Sequence, residues 1–361
     1  MKNRQNARFR FKKLYGKDTS LPFCINSPAP VPRPADANLQ SWMLFYLGKE
    51  VIGIESPHTV RAKAYDLHKL LAFYEHTKRD QSSIASWDKA FTSTFVDALE
   101  KEYATGTVHR IFATVTNFVQ FLIIHEVILP INNPTTGIRL QDQELPPPQG
   151  IQAINKEQPA EQQMAGEEIY ASLLTAAREL INDKSQSKKP DRALPHRDLA
   201  IISLLYNTGL RVDEACSITI AQLEQLSSGD MWIRNVKCKG KKVRKAYVKP
   251  ASTELLLNYI EKERGWAPGF VFQSWRGQKL NQPDIWRILN KIAKKAQQSL
   301  PSGTVINIHP HSLRHERGYN LRKAGLGDAM IAEQLGHRGT GQVARYSRRS
   351  EQDEAEILRK I

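Results

Sequence analysis

The chain has 361 residues, 40% of them hydrophobic, and a formal net charge of +15. This length leaves room for two globular domains. The charge favours a polyanionic partner, with nucleic acid first and a generic basic protein as the alternative. No apolar run approaches about 18 residues, and the basic N-terminus lacks an apolar signal segment, so a spanning or secreted protein is not expected. Three scattered cysteines, Cys24, Cys216 and Cys238, predict a reducing cytoplasm without a disulfide frame.

Residues 1–35 are predicted to form a basic, proline-rich arm. The stretch 1–17 carries seven basic residues and no acid, and five prolines follow, which favour an extended chain. A helical pattern then extends from residue 36 to residue 140. We expect residues 36–140 to form a small helical domain.

Four helices are predicted in this domain. Asp36 or Asn38 can cap the first helix, and the second begins at Ser56-Pro57 with apolar residues at steps of three and four. The third is expected over residues 86–101. The fourth begins near Thr107 and ends before a proline.

Residues 141–165 are predicted to be a linker, because their prolines, glutamines and glutamates have little to bury. A second domain is expected over residues 166–350, interrupted by a polar insert at 182–196. Asp198 is expected to cap an apolar helix that breaks at Gly209.

The spacing of apolar residues changes from helical to alternating over residues 231–248. The alternating residues flank Lys239-Gly240-Lys241 and predict a β-hairpin with Gly240 in the turn. Helices are expected over 252–264 and 283–299. The second domain is therefore predicted to be mainly helical with a small sheet, and residues 351–361 to be a C-terminal tail.

The first chemical candidate is Arg211, which follows the helix break and has Glu214 three residues on. On a helix, Glu214 is close enough to orient the Arg211 guanidinium, although a plain surface ion pair is the alternative. Lys239 is the candidate at the hairpin tip, with Lys241 as its competitor. A lysine there can donate a proton to a leaving oxygen or simply contact phosphate.

His311, Arg314 and His315 follow Pro310 and share one face of a predicted helix. With His309 they also allow a zinc site, but no carboxylate set accompanies them, so we expect no metal. His315 is expected to have a structural role.

A third group combines Leu335-Gly336-His337 with Tyr346, which lies nine residues after His337 among several arginines. The alternative interpretations are structural: a glycine commonly ends a helix, and most tyrosines pack in cores. A tyrosine among cations is, however, easier to ionise, as a nucleophile requires.

In this order, arginine, lysine, His-x-x-Arg, histidine and tyrosine, the residues resemble the tyrosine recombinase or phage integrase family over residues 36–350. The resemblance implies a mainly α fold with a small β-sheet: a two-domain DNA clamp with an N-terminal four-helix core-binding domain and a C-terminal α+β catalytic domain. It also implies site-specific strand exchange through a Holliday junction, with neither metal nor ATP.

The same resemblance implies a role for each motif residue. Tyr346 would form a 3′-phosphotyrosyl link, while Arg211 and Arg314 would bind the non-bridging oxygens. His311 would move a proton, His337 would assist, and Lys239 would protonate the leaving 5′-hydroxyl. Supporting residues would be Glu214 and His315, and residues of the hairpin that would contact DNA are Lys241, Lys242, Arg244 and Lys245.

The expected partners are double-stranded DNA and three further copies of the chain, which would form a tetramer on two duplexes. Ile357, Leu358 and Ile361 in the tail are predicted to contact a neighbouring protomer. Three other functions remain open: a topoisomerase IB-like enzyme, a DNA-binding regulator built on the same scaffold, and a metal-dependent phosphodiesterase around His309, His311 and His315.

Overall fold

The structure is a computed structural model that describes residues 32–78, 83–141, 149–155, 164–183, 192–238, 242–337 and 343. The chain forms two compact units, which divide between Leu145 and Pro146. That division lies inside the stretch predicted as a linker. Residues 1–31 of the predicted arm and the whole tail fall outside the described residues.

The first unit is helical, as the sequence predicts. Its helices are α1 (Leu39–Tyr46), which continues into a π turn (Leu47–Val51), α2 (Pro57–Lys78), α3 (Lys89–Glu100) and α4 (Thr105–Ile124). Asn38 caps α1, because its side chain accepts a hydrogen bond from the backbone N–H of Ser41 at 3.0 Å. Helix α4 begins two residues earlier than predicted.

The core of this unit is apolar and rich in aromatic rings. The residues that alternate by three and four along α2 and α4, such as Leu67, Tyr74, Ile111 and Phe118, are fully buried. Helix α4 is also long and apolar enough to cross a membrane by length and composition alone. Its inward face instead packs against α2 in the core of the unit.

The second unit combines seven described helices with two small sheets. Its helices are α5 (Gly166–Asn182), α6 (Pro195–Thr208), α7 (Val212–Ser217), α8 (Pro250–Tyr259) with a π turn (Ile260–Arg264), α9 (Gln282–Gln297), α10 (Pro310–Lys323) and α11 (Asp328–Leu335). Its strands are β1 (Gln152–Ile154), β2 (Leu223–Gln225), β3 (Met231–Lys237), β4 (Val243–Val248) and β5 (Val305–Asn307). Helix α6 lies at the centre and is buried over most of its length.

The predicted hairpin is present as β3 and β4, which pair antiparallel with Ile233 opposite Ala246. The register shifts between Ile233 and Val236, where Asn235 adopts a positive φ of 52° as a bulge residue. Strand β2 adds an unpredicted third strand on the other side of β3.

A second sheet corrects the predicted linker. Strand β1 lies within residues 141–165 and pairs antiparallel with β5, which leads directly into α10. Ile151 and Ala153 are buried in the core of the second unit. This segment was predicted to have little to bury, but its two apolar side chains are sufficient to dock a three-residue strand.

The predicted cap at Asp198 is wrong. Helix α6 begins at Pro195, and Asp198 lies in its first turn. The buried Asp198 carboxylate accepts from Arg197 at 2.7 Å and from Lys291 at 3.2 Å, so it serves an ion-pair network rather than the helix end. Its negative charge still suits the N-terminal end of the helix dipole.

Candidate active site

Arg211 is held at the junction of two helices. Helix α6 ends at Gly209, whose left-handed φ of 62° turns the chain towards α7. A side chain at Gly209 would approach Leu335 to within 2.6 Å, so the turn also requires a residue without Cβ. Arg211 then occupies the N-cap position of α7, where Glu214 accepts from both its backbone N–H (3.0 Å) and its Nη1 (2.8 Å).

Arg314 is buried on α10, one turn after the helix begins. Pro310 opens the helix and His309 caps it, because Nδ1 of His309 accepts from the backbone N–H of Ser312 at 3.0 Å. The Arg314 guanidinium donates to the carbonyl oxygen of Gly209 at 2.6 Å and to that of Leu335. It therefore joins the ends of α6 and α11.

The C-terminal end of α11 is the point where three arginines meet. Gly336 closes the helix in the left-handed conformation, and the N–H of His337 returns to the carbonyl of Ala332 at 2.8 Å. Three successive carbonyls of this turn accept from three different guanidinium groups: Gln334 from Arg244 at 2.5 Å, Leu335 from Arg314, and Gly336 from Arg211 at 3.1 Å. The end of a helix leaves such carbonyls unpaired and carries partial negative charge, which explains why cations gather there.

His337 follows this turn directly and lies among the same cations. Burial lowers its pKa to about 4, and the charges of Arg314, Arg211 and Arg244 act in the same direction. At neutral pH the imidazole is therefore uncharged and keeps one N–H donor. A neutral donor can bind a phosphate oxygen without adding to the repulsion between the guanidinium groups.

His311 lies on the same helix as Arg314 and opens onto a cleft. Burial lowers its pKa, as do the charges of Arg314, His309 and Arg211, whereas Asp213 raises it. The His311 ring stacks near that of His315, with centroids 6.2 Å apart. The cleft has a volume of about 480 Å³, and its lining includes Arg211, His309 and His311, with the exposed Trp286 at its edge.

Glu214 is the anion of the cluster. Burial alone would raise the pKa of its carboxyl, but the charge of Arg244 and hydrogen bonds from Arg211 and Arg244 hold that pKa below its usual value. Its Oε2 accepts from Nη2 of Arg244 at 2.9 Å. Glu214 is therefore ionised and shared between two arginines.

The predicted DNA-contacting residues of the hairpin separate into two kinds. Lys242 and Lys245 are exposed, and Nζ of Lys245 lies 4.8 Å from the ring centre of Trp232. Arg244 instead points inward, with a side chain only 7% exposed. Its position in the cluster favours a role inside the site over the predicted phosphate contact. The signal was strand alternation, since Arg244 shares a face with the buried Ala246 and Val248.

Three predicted site residues lie outside the described residues: Lys239, Lys241 and Tyr346. On either side of residues 239–241 the strands are still paired, because the N–H of Cys238 donates to the carbonyl of Lys242 at 2.7 Å. Of the other predicted residues, the structure brings Arg211, Glu214, Arg314 and His337 into one cluster and places His311 at its cleft. Within the described ranges, no group of three His, Cys, Asp or Glu side chains could hold a metal ion.

Two regions of the chain match known families. Residues 172–353 match the phage integrase family, and residues 53–126 match the phage integrase N-terminal SAM-like domain. The chain therefore belongs to the phage integrase family of tyrosine recombinases. Members of this family are enzymes that cut and rejoin DNA strands at specific sites. The predicted fold class and the predicted resemblance are both confirmed.

Relatives align along most of the chain. It is 26% identical to tyrosine recombinase XerC of Halalkalibacterium halodurans over 302 residues, which is 81% of this chain and 87% of that protein. It is 28% identical to XerD of Listeria monocytogenes over 295 residues, which is 78% of this chain and 84% of that protein.

Solved structures show the same fold at lower identity. The XerH recombinase in a post-cleavage complex with its palindromic difH substrate has a TM-score of 0.64 at 16% identity, with 91% of this chain and 98% of that chain covered. The Tn1549 transposon integrase in complex with transposon right-end DNA has a TM-score of 0.62 at 17% identity, with 90% and 98% covered.

Proposed function

We propose that the chain exchanges strands between two DNA duplexes, with Tyr346 as the nucleophile. The tyrosine oxygen attacks the scissile phosphorus, and the bond from phosphorus to the 5′ oxygen breaks. His311 takes the tyrosine proton, and Lys239 gives a proton to the departing 5′ oxygen. The 5′-hydroxyl of a second strand then reverses the reaction, so that neither ATP nor a metal ion is consumed.

The convergence of Arg211 and Arg314 at the end of α11 is the observation that carries this proposal. Arg211 reaches Gly336, which lies 125 positions away, and Arg314 reaches Leu335 at the same helix end as well as Gly209, which lies 105 positions away. Two guanidinium groups fixed in this way are preorganised to bind the non-bridging oxygens of one phosphate. The neutral imidazoles of His337 and His311 supply a donor and a proton acceptor beside them.

The position of Val343 supports Tyr346 as the nucleophile. Val343 is fully buried and belongs to one apolar cluster with Ile331 and Leu335 of α11. Three residues of extended chain span roughly 11 Å. Val343 therefore lies against α11, and Tyr346 follows it closely enough in sequence to suit attack on a phosphate held at the end of that helix.

Double-stranded DNA is the proposed substrate, and a homotetramer on two duplexes is the proposed active assembly. The net charge of +15 supports a polyanionic partner. We further propose that the enzyme acts in the cytoplasm on a mobile genetic element, because the Tn1549 transposon integrase, which shares its fold, is seen in complex with transposon DNA.

The test begins with a pool of random-sequence duplexes that carry a nick, so that a cut strand loses its short end and cannot be resealed. Covalent adducts that survive detergent are captured and sequenced, which identifies the target site. Two duplexes of different length that carry this site are then incubated with the enzyme. The proposal predicts recombinant strands that combine both duplexes.

Relaxation of supercoiled DNA without any recombinant strand would contradict the proposal and favour the topoisomerase-like alternative. Arg314→Ala is expected to slow cleavage by about 10²- to 10³-fold, because one buried donor to the transition-state phosphate is lost. Its DNA affinity should change little, since most of the binding charge lies elsewhere. Gel-shift and quenched-flow measurements on the selected duplex separate the two effects.

A further inference from the structure

Arg244 differs from the other basic residues of the hairpin in where its side chain goes. Its side chain is 7% exposed, and both of its terminal nitrogens are occupied. Nη1 donates to the carbonyl of Gln334 at 2.5 Å, and Nη2 donates to Glu214 at 2.9 Å. One planar side chain therefore connects β4, α7 and the last turn of α11.

We propose that Arg244 is a positioning residue of the active site, which ties Glu214 to the end of α11 and thereby fixes Arg211 and His337 for the scissile phosphate. The inference rests on the proposed function and adds a part to the same site. Arg244 acts through its neighbours and does not touch the phosphate.

The surroundings of Gly336 support this role. A Cβ at Gly336 would lie 2.9 Å from both Cδ and Nε of Arg244 and 3.3 Å from Sγ of Cys238. The Nε atom is buried and has no hydrogen-bond partner within the described part of the chain. Arg244 thus lies directly against the turn that carries His337, and its two terminal nitrogens are engaged by Glu214 and Gln334.

The two links that Arg244 makes require a guanidinium. Its fork presents two N–H groups in a fixed plane, so one side chain can serve a carboxylate and a carbonyl at once. A lysine would keep the charge, but its three N–H donors all belong to one nitrogen and do not form a planar fork. Arg244→Lys is therefore the informative variant, because it separates the geometry of the side chain from its charge.

The experiment compares Arg244→Lys with Arg234→Lys. Arg234 lies on the neighbouring strand β3 and pairs with Glu224, but this pair is exposed, so it controls for the substitution itself. Single-turnover cleavage is measured on the selected nicked duplex at saturating enzyme. Arg244→Lys is expected to be about 10- to 100-fold slower, as misplaced reacting groups are, while Arg234→Lys matches the wild type.

DNA affinity as a function of salt distinguishes a positioning role from a phosphate contact. A lost phosphate contact would reduce the slope of log K against log salt by about 0.9. We expect an unchanged slope for Arg244→Met, in which no cation remains at this position. A slope reduced by that amount would overturn the proposal, as would a wild-type cleavage rate in Arg244→Lys.

Hydrogen exchange tests the tie without any DNA. The amides of Gly336 and His337 close the end of α11, and they should exchange about 10-fold faster in Arg244→Lys if the tie holds this turn. Unchanged exchange would refute the link between Arg244 and the end of α11 whether or not cleavage is observed. Failure of the wild type to form a covalent adduct would instead refute the proposed function.

Glu214→Gln weakens the hydrogen bond between Glu214 and Arg244 from the other side. Combining it with Arg244→Lys should slow cleavage little more than either substitution alone.

Discussion

His337 shows how the cluster sets the charge of a single residue. Burial and three nearby arginines lower the pKa of its imidazole to about 4. The ring is therefore neutral at physiological pH and acts as a hydrogen-bond donor rather than as a cation. The same surroundings also depress the pKa of His311, which leaves that residue free to accept a proton.

The cause of this depression can be tested in the DNA-free protein. Arg211→Gln removes one positive neighbour, so the charged form of His337 becomes less unfavourable and its pKa should rise. Titration of the histidine ring protons by NMR measures the change. Arg234→Gln removes an equal charge on the exposed pair with Glu224 and should leave the His337 titration where it is. A His337 pKa that does not move in Arg211→Gln would mean that the charge of Arg211 does not contribute to the depression.

The sequence identified most of the clustered residues but not all of their roles. Arg211, Glu214, Arg314 and His337 stand in motifs whose order is specific, and the structure brings them together. Arg244 was grouped with exposed lysines, because a run of basic residues resembles a surface strip. Only the two-residue alternation of β4 could have separated it from them.

The end of α11 is the element on which the site depends. Its unpaired carbonyls attract Arg244, Arg314 and Arg211, and its left-handed Gly336 turns the chain so that His337 follows immediately. Each residue of the Leu-Gly-His motif therefore has a distinct structural role. Leu335 packs against Gly209, glycine provides the turn beside Arg244, and histidine provides the donor.

Gly336→Ala should destabilise the protein more than Gly325→Ala does. Both glycines have positive φ, which costs an alanine about 1–2 kcal/mol. Gly325 has open space around its Cβ position, whereas Gly336 lies against Arg244 and Cys238. Overpacking should add about 1–3 kcal/mol at Gly336. Denaturant unfolding measures the free energy of unfolding of both variants. Equal losses of that free energy would show that the Arg244 side chain moves aside at no energetic cost.

The larger elements were predictable and the smallest were not. The helices of the first unit follow from apolar residues at steps of three and four, and the hairpin follows from alternation around Gly240. Strands β1 and β5 are three residues each and pair Gln152 with Asn307. No local sequence pattern predicts so short a strand. Each strand forms because it pairs with a partner about 150 positions away.

At the scale of the whole molecule, the residues proposed for catalysis come from segments that are far apart in the sequence but belong to one unit. Strand β1, within the predicted linker, is part of that unit and pairs with the strand that leads into α10. Glu316 on α10 adds a second connection, since its carboxylate accepts from the N–H of Ile151 at 3.3 Å. The segment that follows the first unit is thus fastened to the helix that carries His311 and Arg314.

The family of the chain was easier to predict from the sequence than the geometry of its candidate active site. The order of the motifs indicated the family, because each motif supplies a different part of one reaction. The meeting of three arginines at one helix end was not predictable, since Arg211 and Arg244 lie 125 and 90 positions away from the carbonyls they reach there.

The most direct measurement of the central claim is peptide mapping of the covalent adduct formed with a nicked duplex in the presence of EDTA. We expect a DNA 3′-phosphate on the peptide that contains Tyr346, a free 5′-hydroxyl on the released strand, and no adduct with Tyr346→Phe. An adduct on another residue, an adduct that persists in Tyr346→Phe, or cleavage that EDTA abolishes would contradict that claim.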